Sequence, residues 1–277
     1  MANTLLDLVQ RSATWLAEKG LDNARREAEW IFAEALGLTR LDLYTRFDMP
    51  LDSEETARLR ALVQRRGRRE PLAYVLGNQE FCGLRLRVTP AVLVPRPETE
   101  ELVGLVLAAL PPGPQAVLDV GTGSGAIALA LKHARPELDV QARDLSPEAV
   151  AVASGNATAL GLSVAFSQGD LASGLSGPFA AVVANLPYIA EDERGLCDPE
   201  LAFEPALALF PGGDGLGPIR ALIADAPRIL APQGRLWLEH GFRQAPPIGA
   251  AAATSGWLAT VHRDGAGHER FSELRRA

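Results

Sequence analysis

The sequence predicts an α/β fold in which a helical N-terminal part precedes a mostly parallel sheet with helices on both faces. Three observations lead to this prediction. Apolar residues recur at helical spacing early in the chain, short β-branched runs alternate with helix-forming segments later, and glycines cluster at 121–125 after the first such run. With 277 residues, 47% of them hydrophobic, the chain is long enough for a small domain and a larger one.

The N-terminal part, residues 1–70, is predicted to be a helical bundle. Two apolar stripes at helical spacing each end at a glycine, Gly20 and Gly37, and glycine is typical of the position after a helix C-terminus. Asp52 and Glu55 have the spacing of a capping box and predict a third helix. The stripes indicate the core of a bundle rather than a cofactor site.

Residues 71–96 are predicted to be a linker, in which the alternating stretch 81–94 forms a β-hairpin, and residues 97–277 a larger α/β domain. The Ala-rich stretch 244–256 receives no assignment. The predicted elements of the larger domain are helix 98–110, strand 117–120, helix 126–131, strand 138–142, a helix from 147, strand 179–184, helix 219–230, strand 235–241 and a closing hairpin of 260–263 and 270–273.

Four arginines, Arg65, Arg66, Arg68 and Arg69, follow the third predicted helix. One interpretation is a solvated helix end, where positive charge complements the helix dipole. The other is contact with an acidic face of a protein substrate, or with ribosomal RNA.

The glycine turn predicts a ligand site. Dinucleotide enzymes space the third glycine three residues after the second, but here the glycines alternate with other residues, and Asp119 would repel a pyrophosphate. This pattern suits a cationic amino-acid ligand such as S-adenosylmethionine, while the plainer alternative is an ordinary strand–turn–helix. The residues expected to hold the amino-acid end of the ligand are Asp119, Gly121, Thr122, Gly123, Ser124 and Gly125.

A second acid, Asp144, strengthens this interpretation. It ends the next predicted strand, and its distance from Gly121 is close to the ~20 residues that separate a glycine turn from a ribose-binding acid. It could instead cap the following helix. Ser146, with Pro147 at the first helical position, is the better cap, so we expect Asp144 to be free for ribose hydroxyls.

The tetrapeptide Asn185–Tyr188 follows another apolar run, and strand ends in parallel sheets are where ligands bind. Asn185 supplies an amide, Leu186 a backbone carbonyl that Pro187 keeps extended, and Tyr188 a flat wall. This tetrapeptide type is typical of methyltransferases that act on planar amino or amide nitrogens. The alternative is a proline-containing turn with an Asn cap.

Further motifs resemble the PrmC/HemK family of protein-glutamine methyltransferases, and they run in order from about Pro71 to Gly241. The matching segments are Pro71–Gly77 with Glu80, Phe81, Gly83 and Leu84; Val94–Glu100; and Glu204–Pro205 with Gly212–Leu216.

The resemblance implies a seven-stranded class I methyltransferase (Rossmann-like) sheet with an N-terminal helical-bundle domain that docks the substrate. It implies transfer of a methyl group from S-adenosylmethionine to the glutamine of the Gly-Gly-Gln motif in peptide chain release factors. Asn185, Leu186, Pro187 and Tyr188 would then bind and orient the glutamine, and Asn185 would also contact the cofactor. We expect Asp170 and Leu171 to contact the adenine, and 95–100 to cover the site.

Two residues depart from the family pattern. The family usually has Asn-Pro-Pro-Tyr, whereas position 186 is Leu, a form more familiar from ribosomal RNA adenine dimethyltransferases. The role of this position depends on its carbonyl, which Leu retains, although Leu lacks the fixed φ of proline. His240 replaces an apolar residue, and we expect it on the fifth strand of the sheet as a satisfied core residue without a catalytic role.

Composition agrees with a cytoplasmic enzyme. The net charge of −7 argues against a general nucleic-acid binder. Two cysteines without a CxxC pattern and four histidines without metal spacing predict neither a disulfide framework nor a metal site. We find no signal sequence and no apolar run of ~18 residues, so no membrane contact is expected.

Three other functions remain open from the residues alone. A methyltransferase acting on adenine amino groups of RNA or DNA is compatible with Leu186, but the acidic balance disfavours it. A non-catalytic module that keeps the donor site is disfavoured by the intact Asn185, Pro187 and Tyr188. A NAD-dependent dehydrogenase is disfavoured by the glycine spacing.

Overall fold

A computed structural model describes residues 4–277, and these pack as two compact units. One comprises the described residues up to Asn78 together with Asp198–Phe203, and the other comprises Gln79–Cys197 with Glu204–Ala277. The division by packing therefore does not coincide with the predicted segments 1–70, 71–96 and 97–277. It splits the predicted linker, and it adds to the helical unit a short segment from far along the chain.

The helical unit confirms the three predicted helices and adds two short ones. Its core is apolar and includes the fully buried Leu5, Leu16 and Ile31. The helices are α1 (Leu5–Glu18), α2 (Ala24–Leu36), α3 (Asp42–Thr45), α4 (Ser53–Gly67) and α5 (Leu72–Leu76).

The predicted helix ends are also confirmed. Gly37 directly follows α2 with φ +65°, a left-handed conformation. Its backbone N–H donates to carbonyl groups in the last turn of the helix, which would otherwise lack a partner. At the start of α4, the Asp52 carboxylate accepts the Glu55 backbone N–H at 2.8 Å, and the Glu55 carboxylate accepts the Asp52 N–H at 3.0 Å. This is the reciprocal capping box that the sequence predicts.

The arginines at the end of α4 and just after it mostly pair within the helical unit. Arg66 is buried and pairs with Glu27 at 2.5 Å and with Glu200 at 3.1 Å. Arg69 also pairs with Glu200, at 3.0 Å. Arg68 is exposed. The interpretation as a solvated helix end is therefore wrong for Arg66, because this side chain is buried and forms salt bridges inside the helical unit.

The second unit is built on a seven-stranded sheet with the order β5-β4-β3-β6-β7-β9-β8. The strands from β5 to β7 pair in parallel, and β9 runs antiparallel to both β7 and β8. This confirms the predicted sheet and its closing hairpin. The strands are β3 (Ala116–Val120), β4 (Asp139–Asp144), β5 (Ala165–Gln168), β6 (Phe179–Ala184), β7 (Leu230–Glu239), β8 (Trp257–Arg263) and β9 (Glu269–Arg276), and a separate hairpin consists of β1 (Asn78–Phe81) and β2 (Leu84–Arg87).

Helices cover both faces of this sheet. Val117 and Leu118 of β3 belong to opposite apolar clusters, because successive side chains on a strand point to opposite faces. The helices are α6 (Pro97–Ala109), α7 (Ala126–Ala134), α8 (Pro147–Leu160), α9 (Ala206–Leu209), α10 (Gly217–Ile229) and α11 (Ala245–Thr254), with 3₁₀ turns at Glu191–Leu196 and Pro199–Phe203.

Three details differ from the sequence predictions. The first hairpin pairs 78–81 with 84–87, earlier than the predicted 81–94. The apolar alternation misled the prediction because Val92 and Val94 remain buried after the strand pairing has ended. The unassigned Ala-rich stretch forms α11. His240 lies just beyond β7 instead of within it.

We predict that Arg66→Ala destabilises the helical unit, whereas Arg68→Ala does not. Removing Arg66 leaves Glu27 and Glu200 without their shared cation, at a cost of about 3 kcal/mol for a largely buried pair. Hydrogen exchange of the amides in α1, α2 and α4 measures this loss in the intact chain. Equal protection in the two variants would contradict a stabilising role for the buried charge.

Candidate active site

A cavity of about 370 Å³ opens at the carboxyl ends of β3, β4 and β6. This is the edge of a parallel sheet where ligands bind. The lining includes eight of the predicted site residues, namely Gly121, Gly123, Asp144, Asp170, Leu171, Asn185, Leu186 and Pro187.

The glycine turn brings the backbone close to this cavity. Gly121, Gly123 and Gly125 have φ values of +75°, +56° and +84°, which side chains rarely adopt. A Cβ added at Gly121 would lie 2.9 Å from the Leu186 Cδ2 atom. The turn and the Asn185–Tyr188 segment therefore fit each other only while position 121 lacks a side chain.

Asp119 lies behind the turn and does not line the cavity. Its carboxylate is fully buried, and Oδ2 accepts the Thr122 hydroxyl at 2.6 Å and the Ala128 N–H at 3.2 Å. Oδ1 is buried without a hydrogen-bond partner among the described residues. Burial raises the pKa of Asp119 to about 7, in spite of these two hydrogen bonds. Thr122, Ser124 and Gly125 are also buried away from the lining.

Asp144 lines the cavity, but its carboxylate already has two backbone partners. Oδ2 accepts the Gly123 N–H at 2.8 Å, and Oδ1 accepts the Ser146 N–H at 2.9 Å. Each oxygen retains a second lone pair, so the expected role of Asp144 toward ribose hydroxyls remains a prediction. Ser146 does cap α8, since its hydroxyl accepts the Ala149 N–H at 3.1 Å.

The Asn185 side chain is hydrogen-bonded to Thr99 and through it to Glu239, two residues that the sequence interpretation missed. Its Nδ2 donates to the Thr99 hydroxyl at 3.1 Å, and that hydroxyl donates to Glu239 Oε2 at 2.7 Å. Thr99 stands in the Val94–Glu100 motif without an assigned role. Glu239 could have been noticed as an acid that ends the apolar run Leu236–Leu238. Burial raises the pKa of Glu239 to about 7.

Tyr188 is largely enclosed and is absent from the cavity lining. Burial, and next the nearby Glu239 charge, raise the pKa of its phenol to about 12. The Tyr188 carbonyl accepts the Gln244 Nε2–H at 2.8 Å, and a Cβ at Gly215 would collide with it. Its predicted role as a flat wall for the acceptor remains a prediction.

Two segments outside the sheet line the cavity, whereas the sequence interpretation assigned a covering role only to 95–100. Val92 and Leu93 line it from one segment, and Leu207 and Phe210 from the other. Buried Glu204 joins the two segments, because it accepts the Val94 N–H at 3.0 Å and pairs with Arg96. The two family motifs that contain these residues thus act together.

His240 is a satisfied core residue, as predicted. It is fully buried, with Nε2 at 2.9 Å from the Ser272 hydroxyl and Nδ1 at 2.9 Å from the Gly241 carbonyl. Since a carbonyl only accepts, Nδ1 carries the proton and Nε2 accepts from Ser272. Burial lowers the pKa of the imidazole.

Residues 4–277 contain no group of three or more His, Cys, Asp or Glu side chains arranged to hold a metal ion. None of their helices combines the length and the apolar character that crossing a membrane requires.

Known proteins match the chain along most of its length. Residues 7–77 match the family model of the PrmC N-terminal domain, and residues 103–214 match that of the methyltransferase small domain. The chain is 42% identical over 274 residues to the release factor glutamine methyltransferase of Deinococcus radiodurans, covering 99% of both chains. It is 44% identical over 247 residues to the protein of that name from Geobacter sulfurreducens, covering 88% of this chain and 87% of the relative.

A solved structure of a methyltransferase from Pyrococcus furiosus has a similar fold. It superposes with a TM-score of 0.54 at 19% identity, and the match covers 81% of this chain and 98% of that chain. At this identity the likeness supports the fold of the sheet and its helices.

We predict that Asp119→Asn changes how stability depends on pH. The pKa of Asp119 is raised from 3.8 to about 7, so its contribution to stability is full below the unfolded pKa and is lost as pH rises through the folded pKa. The melting temperature of the variant, relative to the original protein, should therefore increase between about pH 4 and about pH 7. Thermal melts without ligand measure it, and a pH-independent difference would contradict a raised pKa.

Proposed function

Because the chain belongs to the release factor glutamine methyltransferase family, we propose that it methylates the glutamine side-chain nitrogen in the Gly-Gly-Gln motif of peptide chain release factors. S-adenosylmethionine is the methyl donor. One observation carries the proposal. Asn185 directly follows β6 and lines the cavity, and its amide nitrogen donates to Thr99, so that its oxygen is left for a substrate N–H. We place this reaction in the cytoplasm, where release factors act.

The residues around the cavity fit the proposed donor. We propose that Gly121 and Gly123 hold the amino-acid end of the donor, and that Asp119, buried behind them, supports this turn through its hydrogen bond from Thr122. Asp144 keeps acceptor capacity for ribose hydroxyls, and Asp170 and Leu171 line the region proposed for adenine. The donor supplies a methyl group on a sulfonium, whose carbon–sulfur bond breaks as the glutamine nitrogen bonds to the methyl carbon.

The chain's main task is to prepare a poor nucleophile. An amide nitrogen delocalises its lone pair, so it must be held close to the methyl carbon in one orientation. We propose that Asn185 Oδ1 and the Leu186 carbonyl accept its two N–H bonds, which raises electron density on nitrogen and aims it. The nitrogen loses one proton to water after transfer, because the methylated amide is then strongly acidic. Pro187 and Tyr188 would flank the flat amide.

Leu186 has a packing role that makes its departure from the family pattern understandable. Its side chain is buried and lies against Gly121 of the glycine turn. Proline at 186 would supply the same backbone carbonyl with a smaller contact to that turn. We therefore interpret Leu186 as a variant of the acceptor clamp and not as a sign of an adenine substrate.

We propose that the helical unit docks the body of the release factor. Residues 7–77 match the PrmC N-terminal domain. Leu41 and Phe47, on either side of α3, are 72% and 54% exposed, and we propose that they form one apolar patch for the partner, since such patches, unlike single exposed residues, mark interaction sites. The glutamine would be presented separately to Asn185 in the other unit.

We predict that Asn185→Ala lowers turnover by at least about 100-fold while donor affinity stays nearly unchanged, because the clamp acts mainly in the transition state. Leu186→Pro should retain most of the activity, since it keeps the carbonyl. Transfer of labelled methyl groups to a release factor measures turnover, and calorimetry measures donor binding. Full activity of Asn185→Ala would contradict the clamp. Preferential methylation of RNA by the original protein would favour adenine as the acceptor.

We predict that Leu41→Ser with Phe47→Ser lowers kcat/KM for an intact release factor by about tenfold, through KM. A short peptide carrying the Gly-Gly-Gln sequence should react as before, because it does not reach the docking surface. Leu258→Ser, the same change at an exposed position on β8, is the matched control. An equal loss with the peptide would contradict docking at this surface.

A further inference from the structure

We propose that Thr99 and Glu239 are positioning residues that fix which end of the Asn185 amide faces the substrate. The proposal deepens the proposed function and rests on it. Glu239 ends β7, Thr99 lies on α6, and Asn185 follows β6, so three separate elements meet in one hydrogen-bond chain.

The direction of the chain follows from donor and acceptor chemistry. An ionised carboxylate only accepts, so the Thr99 hydroxyl must donate its single proton to Glu239. The hydroxyl oxygen can then only accept from Asn185, which places Nδ2 on the Thr99 side. Oδ1, on the other branch of the planar amide, is left for a ligand. A glutamine N–H requires an acceptor, so only this orientation of the amide serves the reaction.

The fold holds the three residues in place. Ala184 of β6 pairs with Leu238 of β7, so Asn185 and Glu239 are the next residues on neighbouring parallel strands. Thr99 is 4% exposed and Glu239 is 2% exposed, so water competes little for these hydrogen bonds. These hydrogen bonds therefore lie in the interior of the fold and not at its surface.

If Glu239 lost its charge, the hydrogen bonds from Asn185 through Thr99 to Glu239 would no longer have a fixed direction. A protonated Glu239 can donate to Thr99, which allows the hydroxyl to donate to Asn185 Oδ1 and turns Nδ2 toward the substrate. Two N–H groups would then face each other. The orientation of the Asn185 amide therefore depends on whether the Glu239 carboxyl group is protonated.

Charged and titratable groups from each neighbouring element act on Glu239. Arg270 of β9 and a direct hydrogen bond from Asn185 favour the ionised form, whereas Glu98 of α6 disfavours it. Tyr188, after β6, is close enough that the charge of Glu239 raises the pKa of the Tyr188 phenol. With burial as the dominant cause, Glu239 titrates near pH 7, and turnover should rise with pH across this range. Asp119 titrates in the same range at the donor end, so variants must separate the two groups.

The experiment compares Thr99→Val, Thr99→Ser and Glu239→Gln in the full chain with a release factor substrate and saturating donor. Thr99→Val, which keeps the shape but lacks the hydroxyl, should lower kcat by about tenfold or more, with unchanged donor affinity. Thr99→Ser should restore most of kcat and the original pH profile. Glu239→Gln should lose the acid limb of that profile, while Asp119→Asn should keep it.

Nuclear magnetic resonance provides a measurement that does not need turnover. The side-chain amide signals of Asn185, assigned by their loss in Asn185→Ala, should shift with pH near 7 in the original protein and by less in Thr99→Val, where only the direct contact with Glu239 remains. Equal kcat in Thr99→Val and the original protein, or equal losses in the Val and Ser variants, would overturn the positioning role. A protein that shows the pH-dependent signals but does not methylate release factors would overturn the proposed function alone.

Discussion

Parallel pairing of adjacent strands is the constraint on which the site depends. Because β3 pairs in parallel with β4 and β6, and β6 with β7, the carboxyl ends of all four strands lie at one edge of the sheet. The residues that end these strands, or directly follow them, include Asp144, Asn185 and Glu239. A change in register by one residue would turn each of these side chains to the opposite face.

Two carboxyl groups are buried beneath the two halves of this edge. Asp119 supports the glycine turn at the donor end, and Glu239 supports Asn185 at the acceptor end. Burial of an acid is costly unless it is hydrogen-bonded, and each group receives a hydroxyl donor, from Thr122 and Thr99 respectively. The cost is consistent with a functional role, since a neutral side chain would pack in either place with less penalty.

The fold could be predicted from the sequence largely because its signals are local. Apolar periodicity, the capping box at Asp52 and the glycines at 121–125 depend on neighbouring residues, and the structure confirms the elements they predict. Residues that act through tertiary contact could not be found in this way. Thr99 and Glu239 are 140 positions apart, and nothing in either local pattern indicates the hydrogen bond between them. Likewise, an arginine cluster at a helix end is typically solvated, and no local pattern indicates that Arg66 forms a salt bridge with the distant Glu200.

The segment Asp198–Phe203 has a topological consequence. It packs with the helical unit although the chain on either side of it, up to Cys197 and from Glu204, packs with the sheet. The helical unit is therefore a discontinuous domain, and no single cut in the chain can release it whole. A recombinant fragment that ends after α5 would lack Glu200 and leave Arg66 with one of its two acidic partners. Exchange of this unit between relatives, by natural recombination or in chimeric proteins, must therefore transfer two separate stretches of sequence together.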